Sequence, residues 1–88
     1  MQIKEGFELR NVCGEAVIIA HGKQNIDFSR IINLNESAAY LWRNVVGTEF
    51  DAERLAELLL EEYDVSRDIA LRDAHKVIDD WREAGLAE

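Results

Sequence analysis

The sequence predicts an α+β domain in which a three-stranded antiparallel sheet precedes three helices, βββααα. Three observations predict it. Apolar and β-branched runs with a period of two fill the first 34 residues. Apolar residues at helical spacing fill the rest. A residue with capping chemistry stands before each of three such helical segments.

In GFELRNV, Phe7, Leu9 and, loosely, Asn11 alternate with Glu8, Arg10 and Val12. EAVIIA is a β-branched run, and Gly14 between these two segments supplies a hairpin turn. HGKQN is a polar connection to IDFSRIINL, the third strand. A simple meander puts the first and third strands at the edges.

Asn35 joins the third strand to the first helix with no Gly or Pro between them. It N-caps a helix whose buried face is Ala38, Leu41, Trp42 and Val45, and Gly47 stops that helix. Asp51 caps the second helix, with Phe50 and Leu55 spaced as a hydrophobic staple. Its inner face is Leu55, Leu58, Leu59 and Tyr63. Ser66 caps the third helix, whose inner face is Ala70, Ala74, Val77, Ile78 and Trp81. Gly85 ends it in a left-handed cap that folds Leu86 back on Trp81.

The third strand raises the first functional question. Exposed edges are ordinarily blunted by Pro, Lys or bulges, yet no Pro, Lys or Gly lies between Asp27 and Leu34. A rigid apolar edge beside a helix is what peptide binding by strand addition requires.

With 88 residues the chain reads as a single domain, 1–88. Hydrophobic residues make up 48% and charged residues 32%, the composition of a globular protein and not of a disordered one. No apolar run has the length of a membrane span, and the N-terminus lacks a signal-peptide core. A lone cysteine, Cys13, forms no internal disulfide and fits a reducing cytoplasm.

The net charge is −8. Residues 51–64 hold six acidic side chains and one basic, whereas residues 1–34 balance at four of each. The acidity is the solvated face of the second helix. No basic stripe exists to attract phosphates, which argues against nucleic acid as the partner.

Catalytic and metal-binding patterns are lacking. Cys13, at the hairpin, reads as a small half-buried residue with no partnered base. His21 reads as an exposed loop residue. His75 and Asp79, at i and i+4, read as a surface pair because no further His or Cys completes a metal site. Glu57, Glu61 and Glu62 line a polar helix face with nothing to pair them for acid–base work. GKQN lacks the glycines of a phosphate loop. The expectation is a non-enzyme without cofactor.

The segments GFELRNVCGEAVII, IDFSRIINLNESAAYLW, LLLEEYDV and WREAGL resemble the PqqD family across essentially the whole chain. The most specific is Leu34-Asn35-Glu36 running into Ala38-Ala39 and Leu41-Trp42. The family is named for pyrroloquinoline quinone biosynthesis, and its fold defines the recognition element for precursors of ribosomally made, modified peptides. The resemblance implies a winged-helix-like domain with no cofactor. It further implies a cytoplasmic peptide chaperone, monomeric or weakly homodimeric, that binds a precursor's leader segment. Such a chaperone presents the leader to a modifying enzyme, a radical S-adenosylmethionine protein or a lasso-type protease.

In that family the leader adds as a strand to the edge of strand three, in a cleft closed by helix three. Carried onto this chain, the strand residues are Phe28, Ile31, Ile32, Asn33 and Leu34. On helix three, one flank holds Asp73, Val77, Asp80, Trp81 and Ala84, and the other Leu71, His75, Ile78 and Arg82. The first flank is the expected site, with core packing the plainer reading of Val77 and Trp81. The rival class is a winged-helix DNA-binding regulator. Residues 65–88 set four basic side chains against six acidic ones, which repels a phosphate backbone.

Overall fold

The structure, a computed structural model, describes the backbone of residues 1–21 and 26–88 and the side chains of residues 1–20 and 32–88. The elements are β1 (Phe7–Val12), β2 (Glu15–His21), β3 (Ile26–Leu34), α1 (Glu36–Val45), α2 (Ala52–Glu62) and α3 (Arg67–Glu83). The order β1-β2-β3 is antiparallel throughout, so β3 is an edge strand. β2 continues one residue further than the sequence suggested, through His21, whose side chain lies outside the described residues.

Cys13 and Gly14 form the β1–β2 turn with φ of +53° and +81°. Positive φ at both loop positions is the signature of a type I′ hairpin, whose twist matches that of the strands. Cys13 is exposed, not half-buried as expected, because a two-residue loop projects past the sheet with nothing to pack against.

The register puts Leu9, Ile18 and Ile32 side by side on one face, with Asn11, Ala16 and Leu34 in the next row. Ile18 is fully buried on that face, and Leu9, Ile32 and Leu34 pack half-buried around the same core. On the other face Val17 and Ile19 of the middle strand are buried, while Glu8, Arg10 and Asn33 beside them are exposed.

The helices begin where capping chemistry places them. The side chains of Asn35, Asp51 and Ser66 accept from the backbone N–H of Ala38, Arg54 and Ile69, at 2.8, 2.8 and 3.3 Å. Each satisfies a donor that has no intrahelical partner. Phe50 and Leu55 are both buried, as a staple requires. Two residues depart from the predicted inner faces. Tyr63 ends α2 in extended conformation and is half-buried, and Val77 is half-buried at the margin of the core.

Trp81 holds the helical layer together. Its ring meets Trp42 edge-on at 5.4 Å and Phe50 at 5.9 Å. After α3 the Leu86 N–H donates to the Trp81 carbonyl at 2.7 Å, and the Gly85 N–H to Arg82 at 3.0 Å, a Schellman motif. The turn buries Leu86 completely and delivers Ala87 to an antiparallel bridge with Ile3. Backbone bonds between Gln2 and Glu88, and from Lys4 to Leu86, tie the two terminal segments together. Nothing in the sequence periodicity announced this pairing.

Gly85 has φ of +77°, and a Cβ added there would meet nothing within 4 Å. The cost of Gly85→Ala is therefore conformational alone, about 1 kcal/mol. Urea unfolding is expected to show a lowered midpoint with an unchanged slope.

Candidate functional site

The described part of β3's free edge ends at Asn33 and Leu34, and the strand passes directly into α1 through Asn35. The orientation of the edge's peptide groups follows from the hairpin at the other side of the sheet. A two-residue I′ loop makes its flanking residues, Val12 and Glu15, a hydrogen-bonded pair. Such pairs alternate along an antiparallel ladder, so Glu15, Val17 and Ile19 direct their peptide groups toward β1. Ala16 and Ile18 direct theirs toward β3, where they face Leu34 and Ile32. Asn33, opposite Val17, therefore turns both its N–H and its C=O outward.

Farther back the β2–β3 register shifts between Ile18 and Ala20, so this alternation is not carried to Phe28 or Ile31. The side chains of those two expected site residues lie outside the described residues.

Beside the edge lies a groove of about 550 Å³ between β3 and α3. Ile32, Asn33 and Leu34 form one wall, and Asp73, Lys76, Val77, Asp80, Trp81 and Ala84 the other. Leu41, Leu59 and Leu86 contribute from the core, and Tyr63 and Val65 from the α2–α3 connection. Leu71, His75, Ile78 and Arg82, on the opposite flank of α3, are not among the lining residues. Ile78 is buried in the core, and His75 and Arg82 are exposed on the far side.

Sequence reasoning missed the contributions of Tyr63, Val65, Lys76, Leu86 and the α1 residues. Tyr63 carried the available signal. It follows two acidic residues, Glu61 and Glu62, at the point where α2 ends.

The groove is apolar within and charged along one rim. Lys76 Nζ donates to Asp80 Oδ2 at 3.0 Å, one helical turn along α3. Asp73 lies 3.8 Å from the Arg72 guanidinium, its one ion-pair partner among the described residues. All of these side chains are more than half exposed, so the pairs add little to stability. Among the described residues His75 and Asp79 form no ion pair. Among the described residues no group of three His, Cys, Asp or Glu side chains is placed to hold a metal ion, and no helix is long and apolar enough to cross a membrane.

Of the groove's lining residues, Tyr63 meets Tyr40 edge-on at 6.1 Å, and the Tyr40 hydroxyl donates to the Leu58 carbonyl at 3.1 Å. Partial burial raises both phenol pKa values above 10. The carboxylates of Glu62 and Glu61 add to the effect at Tyr40, and those of Glu36 and Glu62 at Tyr63.

A strand edge with outward peptide groups, flanked by an apolar helix-walled groove, is the geometry that strand addition by a peptide requires. The family model for coenzyme PQQ synthesis protein D (PqqD) matches residues 15–87, and the chain belongs to that family. Two solved structures share its fold. TbiB1 in complex with the TbiA(beta) leader peptide aligns with 17% identity over 100% of this chain and 95% of that one, at a TM-score of 0.75. Lasso peptide synthetase B1 complexed with the leader peptide aligns with 20% identity over 99% and 95%, at a TM-score of 0.72. No curated protein sequence matches the chain.

The two phenols are the only tyrosines in the chain, so absorbance titration reads them alone. Both are expected to ionise above pH 10. Because their folded pKa values exceed the unfolded ones, their contribution to stability is complete below pH 10 and is lost as pH rises through the folded values. A stability that rises with pH above 10 would contradict this.

Proposed function

We propose that this chain is a non-catalytic peptide chaperone. It takes the leader segment of a ribosomally synthesised precursor as an added strand on β3 and presents it to a modifying enzyme. The observation that carries the reading is Asn33, whose N–H and C=O point away from the sheet beside the groove of β3 and α3. Family membership supports it, as does a fold shared with two proteins solved with leader peptides. The peptide-contacting residues of this reading are Ile32, Asn33 and Leu34 on the strand and Asp73, Val77, Asp80, Trp81 and Ala84 on the helix. Phe28 and Ile31 extend the strand side.

In this reading residues 1–88 form one recognition domain that acts in the cytoplasm, with a radical S-adenosylmethionine enzyme or a lasso-type protease downstream. It holds the substrate and leaves the chemistry to that partner. Its acidic balance on α3 gives no footing for the DNA-binding alternative.

Proline substitution tests the edge. Asn33→Pro removes an outward N–H, which an edge tolerates. The fold should persist, while leader affinity drops about tenfold or more through one lost bond of about 1 kcal/mol and the steric clash of the ring. Ile32→Pro removes an inward N–H that bonds Ile18 and should unfold the sheet. Circular dichroism and titration of a labelled leader peptide read the two effects. Wild-type affinity in a folded Asn33→Pro protein would place the peptide elsewhere.

Salt provides a second check. Binding that rests on main-chain bonds and apolar anchors should weaken only a few-fold between low and physiological salt. Phosphate recognition would instead lose about two or more orders of magnitude.

A further inference from the structure

The edge and the groove together restrict which peptides fit, and this restriction rests on the reading above. A residue paired across from Asn33 places its side chain on the same sheet face as Asn33, whichever direction the peptide runs. Asn33 shares its face with Val17 and Arg10, away from the helices. The two peptide residues on either side of that position must then point to the helical face, next to Ile32 and Leu34. There the groove offers Val77, Trp81, Tyr63 and Leu86 as an apolar lining. Its volume of about 550 Å³ accommodates two side chains of leucine size.

The rim contributes a sign. Asp73 and Asp80 face the groove against one lysine, Lys76, which Asp80 already holds at 3.0 Å. Among the described lining side chains two carboxylates face one ammonium, and Arg72 reaches Asp73 at 3.8 Å from outside that lining. The basic groups of α3 nearest to it, Arg72 and Arg82, are not among its lining residues.

We infer that the segment recognised is an extended peptide with two apolar side chains at i and i+2 and a Lys or Arg flanking them. The residue between the two apolar positions faces solvent and is free to vary. Adjacent apolar residues would send one side chain to each face of the sheet. An i, i+3 pair would do the same, because only even spacings return to the groove.

The test uses short synthetic peptides of about twelve residues with a Ser/Thr host, an extended length that spans the groove. Two leucines are placed at i,i+1, at i,i+2 or at i,i+3, each with either Lys or Glu flanks, and binding to the full chain is read by fluorescence anisotropy. The i,i+2 peptide with Lys flanks is expected to bind about tenfold tighter than the other spacings. Glu flanks should weaken it several-fold, and Asp73→Asn, which leaves one carboxylate against one ammonium in the described lining, should remove that difference.

Asn33→Pro should abolish the preferred binding. If that variant does not fold, Val77→Lys replaces it, narrowing the groove from the helix side with the ladder untouched. Binding that is sensitive to these variants but indifferent to spacing or to flanking charge overturns the inference and leaves strand addition standing. No binding by any peptide, or binding that both variants spare, overturns the two together.

Discussion

The packing of Trp81 is the constraint on which the remaining architecture depends. Its ring touches Trp42 from α1 and Phe50 from the start of α2, so one side chain fixes α3 against both other helices. Its carbonyl accepts the bond that turns the chain back after α3, which buries Leu86 and brings Ala87 beside Ile3. The same residue lines the groove. Core and site thus share a wall, and the wall cannot shift without disturbing the packing behind it. That rigidity suits the proposed binding of an extended chain, because a pre-formed groove loses little freedom on binding.

The two edges of the sheet differ in a way that bears on specificity. β1 carries Glu8 and Arg10, exposed and paired at 3.2 Å, on its outward face. Charged side chains on an edge discourage unwanted strand pairing. At the described end of β3 the exposed residue is the neutral Asn33, flanked by Ile32 and Leu34, which pack half-buried. The β1 edge is protected by charge, and the described end of the β3 edge opens on a groove. Asn35 maintains the second arrangement. Its side chain caps α1 at 2.8 Å immediately after β3 ends, leaving the strand no slack relative to the helical layer.

Much of this was legible in the sequence, for identifiable reasons. Capping residues act locally, so Asn35, Asp51 and Ser66 could be placed from their neighbours alone. Gly85 and Leu86 followed from the same local chemistry. Helical spacing defined two flanks of α3 without choosing between them, and the groove lies along the one that holds Asp73, Val77, Asp80, Trp81 and Ala84.

Other features depended on long-range geometry. The pairing of Ile3 with Ala87 joins opposite ends of the chain and has no periodic signature. The outward orientation of Asn33 required the ladder register, traced from the Cys13–Gly14 turn across β2; spacing alone left two alternatives. Cys13 was misjudged because hydrophobic character does not bury a residue that a tight turn holds beyond the sheet. Tyr63 was assigned to the core because helical spacing was extended one residue past the real end of α2.

Magnitudes explain why an edge alone would not suffice for a peptide held as proposed. A main-chain hydrogen bond contributes about 1 kcal/mol net. Association costs about 4–15 kcal/mol in lost freedom before any affinity appears. A few edge bonds cannot offset that, and they carry no information about side chains. Two apolar side chains buried in the groove would add about 1.5–3 kcal/mol each. For a peptide held as proposed, the edge would therefore set the direction and register of the guest strand, while the groove would supply most of the affinity and the choice among sequences. Both must be present in one rigid unit for either to matter, and the direct passage from β3 into α1 keeps them together.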